Sequence, residues 1–243
     1  MGARFEVVAH RGFRARYPEN TLAAVAAALD AGAHHVEVDV HLSADGVPVL
    51  CHDADLARVS GRPGRVAELP AAVLADWPAG EPGRLGDRFP RARLATLAEA
   101  ARLVAARGRH LFVELKPDPW QRFGAAALDA LADALAPVPG LRWTLISFLP
   151  EVVEAARAAE LAPAGWVLPA YDAGARAAAR ELAPPVLFVD RAWLPPRGAL
   201  WPGPWRWAVY EVNTPREAAR LAARGAGLIE TAEVALLRAA VCG

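Results

Sequence analysis

The chain has 243 residues, of which 54% are hydrophobic, and its 27 basic and 27 acidic residues give a formal net charge of zero. This composition predicts a packed globular core and excludes a disordered chain. Balanced charge without a basic run excludes an electrostatic surface for nucleic acid, and no apolar run is long enough to cross a bilayer.

The N-terminus and the cysteines bear on the cellular compartment. The first predicted strand begins within a few residues of Met1, which leaves no room for a signal peptide. Cys51 and Cys242 form neither a disulfide framework nor a metal-ligand spacing, in keeping with a reducing compartment. We therefore expect a cytoplasmic protein without membrane insertion.

Strand and helix patterns alternate from one end of the chain to the other. Between Ala- and Leu-rich helical stretches, short apolar or alternating segments predict eight strands. These strands are Phe5–His10, His35–Leu42, His110–Leu115, Arg142–Ser147, Gly165–Leu168, Val186–Asp190, Trp207–Val212 and Gly227–Glu230. The repeat favours an α/β fold, a single-domain TIM-type (β/α)8 barrel spanning residues 1–243, over a doubly wound open sheet.

The alternation is interrupted in three places. Asp45-Gly46 is typical of a hairpin turn and is followed by a short extra strand, Val47–Cys51. Residues 54–93 are punctuated by Gly and Pro and predict no regular element, so we interpret them as an insertion after strand 2, over the mouth of the barrel. The Pro- and Gly-rich stretch from Pro195 to Trp205 predicts an irregular connection in place of the sixth helix.

Two strands carry ionisable residues in alternation with apolar ones. In Val36–Val40 the period of two places Glu37 and Asp39 on one face and the valines on the other. Two neighbouring carboxylates repel each other unless a cation lies between them. Further along the chain, Glu114 and Lys116 share a face in the same manner.

An ordered set of short motifs in the first half of the chain resembles the glycerophosphodiester phosphodiesterase family. The motifs are His10-Arg11-Gly12, Pro18-Glu19-Asn20-Thr21, Gly32-Ala33, Val36–Val40, Asp45-Gly46, His52-Asp53 and Glu114-Leu115-Lys116. The resemblance implies a barrel whose site lies at the C-terminal ends of the strands, with a bound divalent cation. It also implies a phosphoric diester hydrolase that converts glycerophosphodiesters to an alcohol and sn-glycerol 3-phosphate.

The residue types in these motifs suit that chemistry. A phosphodiester is a stable anion, so its hydrolysis needs positive charge near the phosphate oxygens. Carboxylates are hard oxygen ligands suited to Mg²⁺ or Ca²⁺, and we assign Glu37, Asp39 and Glu114 as metal ligands. The cationic side chains of Arg11 and Lys116 are assigned to phosphate binding.

Proton transfer is assigned to two histidines at strand ends. His10 and His52 are candidates for the acid and the base because imidazole titrates near neutral pH, and the sequence does not say which is which. Glu19 and Asn20 begin the first helix, and we expect them to orient Arg11 or the ligand.

Three positions depart from the family pattern. Ala232 stands where the family has an aspartate, Tyr210-Glu211 where it usually has Trp-Thr, and His34 where an aspartate usually follows Gly-Ala. We expect these differences to lie outside the metal and histidine set and to affect substrate shape more than reaction type.

Two alternatives to this function stay open. One is a lysophospholipase D-like enzyme acting on lysophospholipids, which the lack of an amphipathic membrane segment disfavours. The other is a non-catalytic barrel that binds a phosphate ligand, which the intact histidines and carboxylates disfavour. In each case the partner is a small molecule, and the chain is expected to be a monomer or a small homo-oligomer.

Overall fold

Nine strands form one sheet in the computed structural model, which describes residues 5–242. They are β1 (Glu6–Ala9), β2 (His35–Leu42), β3 (Pro48–Leu50), β4 (His110–Leu115), β5 (Arg142–Ser147), β6 (Ala164–Val167), β7 (Val186–Asp190), β8 (Arg206–Tyr210) and β9 (Ala226–Thr231). The sheet order is β1-β9-β8-β7-β6-β5-β4-β2-β3, and β1 also pairs with β2. This pairing closes eight parallel strands into a barrel and confirms the predicted fold class.

Helices surround the barrel. They are α1 (Leu22–Asp30), α2 (Ala57–Ser60), α3 (Ala71–Leu74), α4 (Pro82–Leu85), α5 (Leu97–Ala106), α6 (Pro117–Phe123), α7 (Ala126–Leu135), α8 (Pro150–Ala158), α9 (Ala173–Leu182), α10 (Pro215–Ala222) and α11 (Val234–Cys242). Three short 3-10 helices are Val66–Glu68, Gly86–Arg88 and Arg191–Trp193. No helix among residues 5–242 is both long and apolar enough to cross a bilayer.

The interior of the barrel contains two kinds of side chain, apolar and ionisable. An apolar cluster fills part of the barrel with residues from seven of the eight barrel strands. Its members are Val8, Phe112, Ile146, Val167, Val186, Phe188, Ala208 and Leu228. Strand β2 contributes none of them, because the valines of Val36–Val40 pack outward in the main core and turn Glu37 and Asp39 inward. The barrel interior is therefore polar on the β2 side.

Residues 54–93 differ from the sequence prediction. Instead of an insertion without regular elements, the structure has three one-turn helices, α2, α3 and α4, built around a small apolar cluster of their own. Leu56 and Leu74 are fully buried members of this cluster. Gly and Pro limit each helix to about one turn, which is too short for a recognisable helical period, so packing and not local propensity stabilises these helices.

The other two interruptions are confirmed. Strand β3 pairs antiparallel with β2 after the Asp45-Gly46 turn. After β7, the 3-10 helix Arg191–Trp193 is the only helix in the described chain before β8 begins at Arg206. Two tryptophans of this connection pack against the core: Trp205 is buried, and the Trp201 ring stacks on Tyr171 with centroids 3.9 Å apart.

Candidate active site

The predicted site residues converge at the C-terminal end of the barrel. His10 and Arg11 follow β1, Glu37 and Asp39 lie in β2, and Glu114 lies in β4. In a parallel barrel the C-terminal ends of all strands meet at one face. The register places Asp39 directly opposite Glu114, so residues 75 positions apart in sequence become neighbours.

Three buried carboxylates form the centre of the site. Glu37, Asp39 and Glu114 each offer an oxygen, and these atoms lie within 4.8 Å of one another. The Lys116 ammonium is 2.6 Å from Asp39 Oδ1 and 2.5 Å from Glu114 Oε1. Lys116 therefore faces carboxylates in this structure, where the sequence had suggested phosphate.

The three carboxyl groups differ in how well their charge is balanced. Burial alone would raise the pKa of Asp39, but the charges of Lys116 and Arg11 lower it well below its usual range. Burial and the neighbouring carboxylates raise the pKa of Glu37 well above its usual range. Burial also raises the pKa of Glu114, with Lys116 opposing the rise. Glu37 is thus the least compensated of the three.

Arg11 and Asn20, in the loop between β1 and α1, hold the carboxylates in place. Both have positive φ angles, 54° and 55°, and the Asn20 N–H donates to the Arg11 carbonyl at 3.0 Å. The Asn20 side chain donates to Asp39 Oδ2 at 2.8 Å and accepts from the Asp39 N–H at 3.1 Å. The Arg11 guanidinium contacts Glu19 at 3.0 Å and Asp39 at 2.9 Å. Glu19 thus contacts Arg11, and Asn20 contacts both Arg11 and Asp39. The sequence predicts that these two residues orient Arg11 or the ligand.

Gly12 allows the loop between β1 and α1 to pack against α1. Its φ is +78°, and a Cβ atom there would meet the Ala24 backbone carbon at 2.6 Å. Only glycine fits a position with both constraints.

His52 lies at the edge of the site, next to the insertion. Its Nδ1 is 2.6 Å from Asp53 Oδ1, and Asp53 Oδ2 accepts from Arg58 Nε at 2.6 Å. About a third of the His52 side chain is exposed. Burial lowers the pKa of His52, while the nearby Asp39 and Asp53 carboxylates oppose the shift.

His10 is more deeply buried and pairs with a residue that the sequence analysis placed outside the site. Its Nδ1 is 2.7 Å from Glu211 Oε2, which also accepts from Arg14 Nε at 2.7 Å. Burial lowers the pKa of His10 to about 4, against the effect of Glu211. The expectation that the Tyr210-Glu211 departure lies outside the histidine set is therefore wrong for Glu211. Its place just after β8 was the available signal, because polar residues at strand C-termini face the site.

Glu230 is a second residue that the sequence analysis missed. It lies in β9 opposite Val8, is 3% exposed, and lines the same cavity as Glu37 and His10. Its Oε1 has no hydrogen-bond partner among the described residues. The alternation in Gly227–Glu230 puts Glu230 on the same face as Leu228, and this was the signal that could have revealed it.

Three cavities open from the site toward the insertion. The innermost, about 100 Å³, is lined by both histidines and by the carboxylates of Glu37, Glu114 and Glu230. A second, about 270 Å³, shares His52, Glu114 and Lys116 with the first and lies beside Asp118. The third, about 440 Å³, lies between the insertion and α6. Together they leave room for a ligand larger than phosphate.

The fold and the site define a class of protein. It is a TIM-type barrel with carboxylates, histidines and cationic side chains at the C-terminal ends of its strands. The model of the glycerophosphoryl diester phosphodiesterase family matches residues 10–176, which is more than half of the chain. The chain belongs to this family.

Curated relatives match over part of their length. Glycerophosphodiester phosphodiesterase 1 of Bos taurus is 35% identical over 152 residues, which cover 62% of this chain and 44% of the bovine protein. A glycerophosphodiester phosphodiesterase of Caldanaerobacter subterraneus is 34% identical over 110 residues, 45% of this chain and 44% of that protein. The aligned part thus spans less than half of these relatives.

Solved structures match over nearly the whole chain. A phosphodiesterase from Oleispira antarctica, in complex with the product sn-glycerol-3-phosphate, aligns with a TM-score of 0.86 at 24% identity, covering 99% of this chain and 98% of that one. A glycerophosphodiester phosphodiesterase from Agrobacterium tumefaciens aligns with a TM-score of 0.75 at 25% identity, covering 97% and 99%. The barrel is therefore similar to known structures from end to end.

Proposed function

We propose that this protein is a phosphodiesterase that hydrolyses glycerophosphodiesters to an alcohol and sn-glycerol 3-phosphate. The observation that carries the proposal is the convergence of two histidines, three carboxylates and two cationic side chains at one end of the barrel. Family membership and the product complex of the Oleispira protein support it.

The donor set fits a hard divalent cation, Mg²⁺ or Ca²⁺. Glu37, Asp39 and Glu114 would hold it, since their oxygens lie within 4.8 Å of one another and Glu37 Oε1 is buried without a hydrogen-bond partner among the described residues. When bound, the cation would neutralise charge on the phosphate and polarise a phosphoryl oxygen.

Both histidines are prepared for proton transfer in the same way. The Nδ1 of His10 bonds to Glu211 and the Nδ1 of His52 bonds to Asp53, so each ring keeps its Nε2 for chemistry. For hydrolysis, one histidine takes a proton from the attacking water as its oxygen bonds to phosphorus, and the other gives a proton to the alcohol oxygen as its P–O bond breaks. The two rings line one cavity, which is consistent with their acting on one phosphate.

Substrate binding involves the cationic side chains and the insertion. Arg11 and Lys116 supply positive charge to the phosphate oxygens; Lys116 faces Asp39 and Glu114 at present and would turn to the substrate. The alcohol fits the cavity between the insertion, residues 54–93 of a single 1–243 domain, and α6. A cytoplasmic location is part of the proposal, and the free, buried Cys51 agrees with it.

The test is an assay of sn-glycerol 3-phosphate release from a panel of glycerophosphodiesters with different head groups. The metal-stripped protein is assayed alone, with Mg²⁺ and with Ca²⁺, and we expect turnover only when a cation is added. Full turnover with excess chelator would refute the metal dependence. Choline release from lysophosphatidylcholine without glycerophosphodiester hydrolysis would favour the lysophospholipase D-like alternative. The absence of turnover on every substrate would favour the non-catalytic barrel that binds a phosphate ligand.

A further inference from the structure

A second group of possible metal ligands lies beside the first. His10, Glu37 and Glu230 each offer one ligand atom, and these atoms lie within 4.8 Å of one another. The group shares only Glu37 with the carboxylates assigned above to the catalytic cation. It lies on the β1 and β9 side of the barrel, whereas Asp39 and Glu114 lie on the β2 and β4 side.

The two sides differ in their charge balance. Asp39 and Glu114 are within ion-pair distance of Lys116, and Asp39 also contacts Arg11. For Glu37 the direct partner is the Arg11 backbone N–H, 3.0 Å from Oε2. The Oε1 atoms of Glu37 and Glu230 are both buried without a hydrogen-bond partner among residues 5–242. Two unpartnered buried carboxylates that face each other need a shared cation or a shared proton.

His10 completes this group with a nitrogen ligand. Its Nδ1 donates to Glu211, so Nε2 carries the free lone pair. Histidines that bind metals commonly donate their other N–H to a carboxylate, which fixes the ring and raises its basicity. Two carboxylates and one imidazole suit a transition-metal dication such as Mn²⁺ better than Ca²⁺, which prefers oxygen ligands alone.

We propose that Glu37, Glu230 and His10 hold a second divalent cation, next to the cation held by Glu37, Asp39 and Glu114. The inference rests on the proposed function for the first cation. Glu37 bridges the two positions, as in sites where two metal ions lie about 3.5–4 Å apart. Filling the second position engages the His10 lone pair, so His10 transfers protons only while this position is empty.

The experiment counts Mn²⁺ ions bound to the full-length, metal-stripped protein by equilibrium dialysis, without substrate. We expect two ions per chain in the wild type and one in Glu230→Gln, a neutral variant of nearly the same shape. His10→Asn is a second variant that should also bind one. Glu154→Gln, on the exposed surface of α8, is the matched control and should bind two. Circular dichroism checks that each variant is folded.

Electron paramagnetic resonance provides an independent readout, because two Mn²⁺ ions bridged by one carboxylate give a spin-coupled spectrum. We expect coupling in the wild type and its loss in Glu230→Gln. A single bound ion in the wild type would overturn the proposal and indicate a proton shared by Glu37 and Glu230. Two ions in Glu230→Gln would also overturn it, because the second ion would then bind without Glu230. Since no substrate is present, the result is separate from that of the hydrolysis assay.

Discussion

The two histidine–carboxylate pairs of the site differ in where they come from. His52 and Asp53 are adjacent in sequence, lie at the edge of the insertion and are about one-third exposed. His10 and Glu211 are 201 residues apart, are brought together by closure of the barrel, and the His10 side chain is 12% exposed. One pair is thus a local, solvated feature, and the other depends on the whole fold.

This difference affects what each carboxylate does to its histidine. An interaction near solvent is weakened by water and salt, whereas the same interaction in a buried site is stronger. Glu211 also receives a hydrogen bond from Arg14, and although burial would raise its pKa, His10 and Arg14 hold that pKa well below the usual range. Glu211 is therefore ionised, and it fixes the orientation of a buried ring.

The largest expected effect comes from removing either ring. His10→Ala and His52→Ala should each lower kcat by about two to four orders of magnitude, the usual contribution of a positioned acid or base. His110→Ala is a matched control, because His110 lies at the opposite end of the barrel, at the start of β4, and bonds to Thr144. The check is steady-state kinetics on variants with unchanged circular dichroism. Wild-type kcat in either site variant would remove that histidine from the mechanism.

Much of the barrel could be predicted from the sequence, because its strands have strong local signals. The bounds of β2, β4, β5 and β7 match the predicted segments residue for residue. Motifs in neighbouring strands also predicted which carboxylates would meet. By contrast, α2, α3 and α4 depend on tertiary packing within the insertion, and their one-turn lengths leave no period to detect.

The missed site residues have a different cause. Glu211 and Glu230 come from β8 and β9, the last strands to join the barrel, and they meet His10 and Glu37 only through the pairing of β1 with β9. The motifs in the first half of the chain carry no information about that contact. The Tyr210-Glu211 departure was visible in the sequence, but its position relative to His10 required the register of the closed barrel.

The second expected effect tests the buried pair. Glu211→Gln should lower kcat about ten- to a hundredfold, the usual loss when a carboxylate that orients a working histidine is removed, with little change in KM. The amide keeps the size of the side chain but loses the charge that holds the Nδ1–H tautomer of His10.

A double-mutant cycle separates orientation from a structural role. In the His10→Ala background, Glu211→Gln should have no further effect on kcat, because its target ring is gone. Glu217→Gln, at the first turn of α10, is the control carboxylate. Additive losses in the double variant would show that Glu211 acts by another route than His10.

The smallest expected effect tests the exposed pair. Asp53→Asn should cost about 1 kcal/mol or less, the range for solvated ion pairs, which is at most about fivefold in kcat.

The pH profile of kcat shows the effect of Asp53 on His52 more clearly than the size of kcat does. Burial lowers the pKa of His52 and Asp53 opposes that shift, so removing the Asp53 charge should lower the His52 pKa further. The limb of the kcat profile that reports His52 should move to lower pH in Asp53→Asn. Raising the salt concentration should reduce the difference between wild type and variant, because salt screens exposed charges. An unchanged limb in Asp53→Asn, together with a full loss of activity, would mean that Asp53 positions the ring as firmly as Glu211 does, and the contrast between the local and the long-range pair would fail.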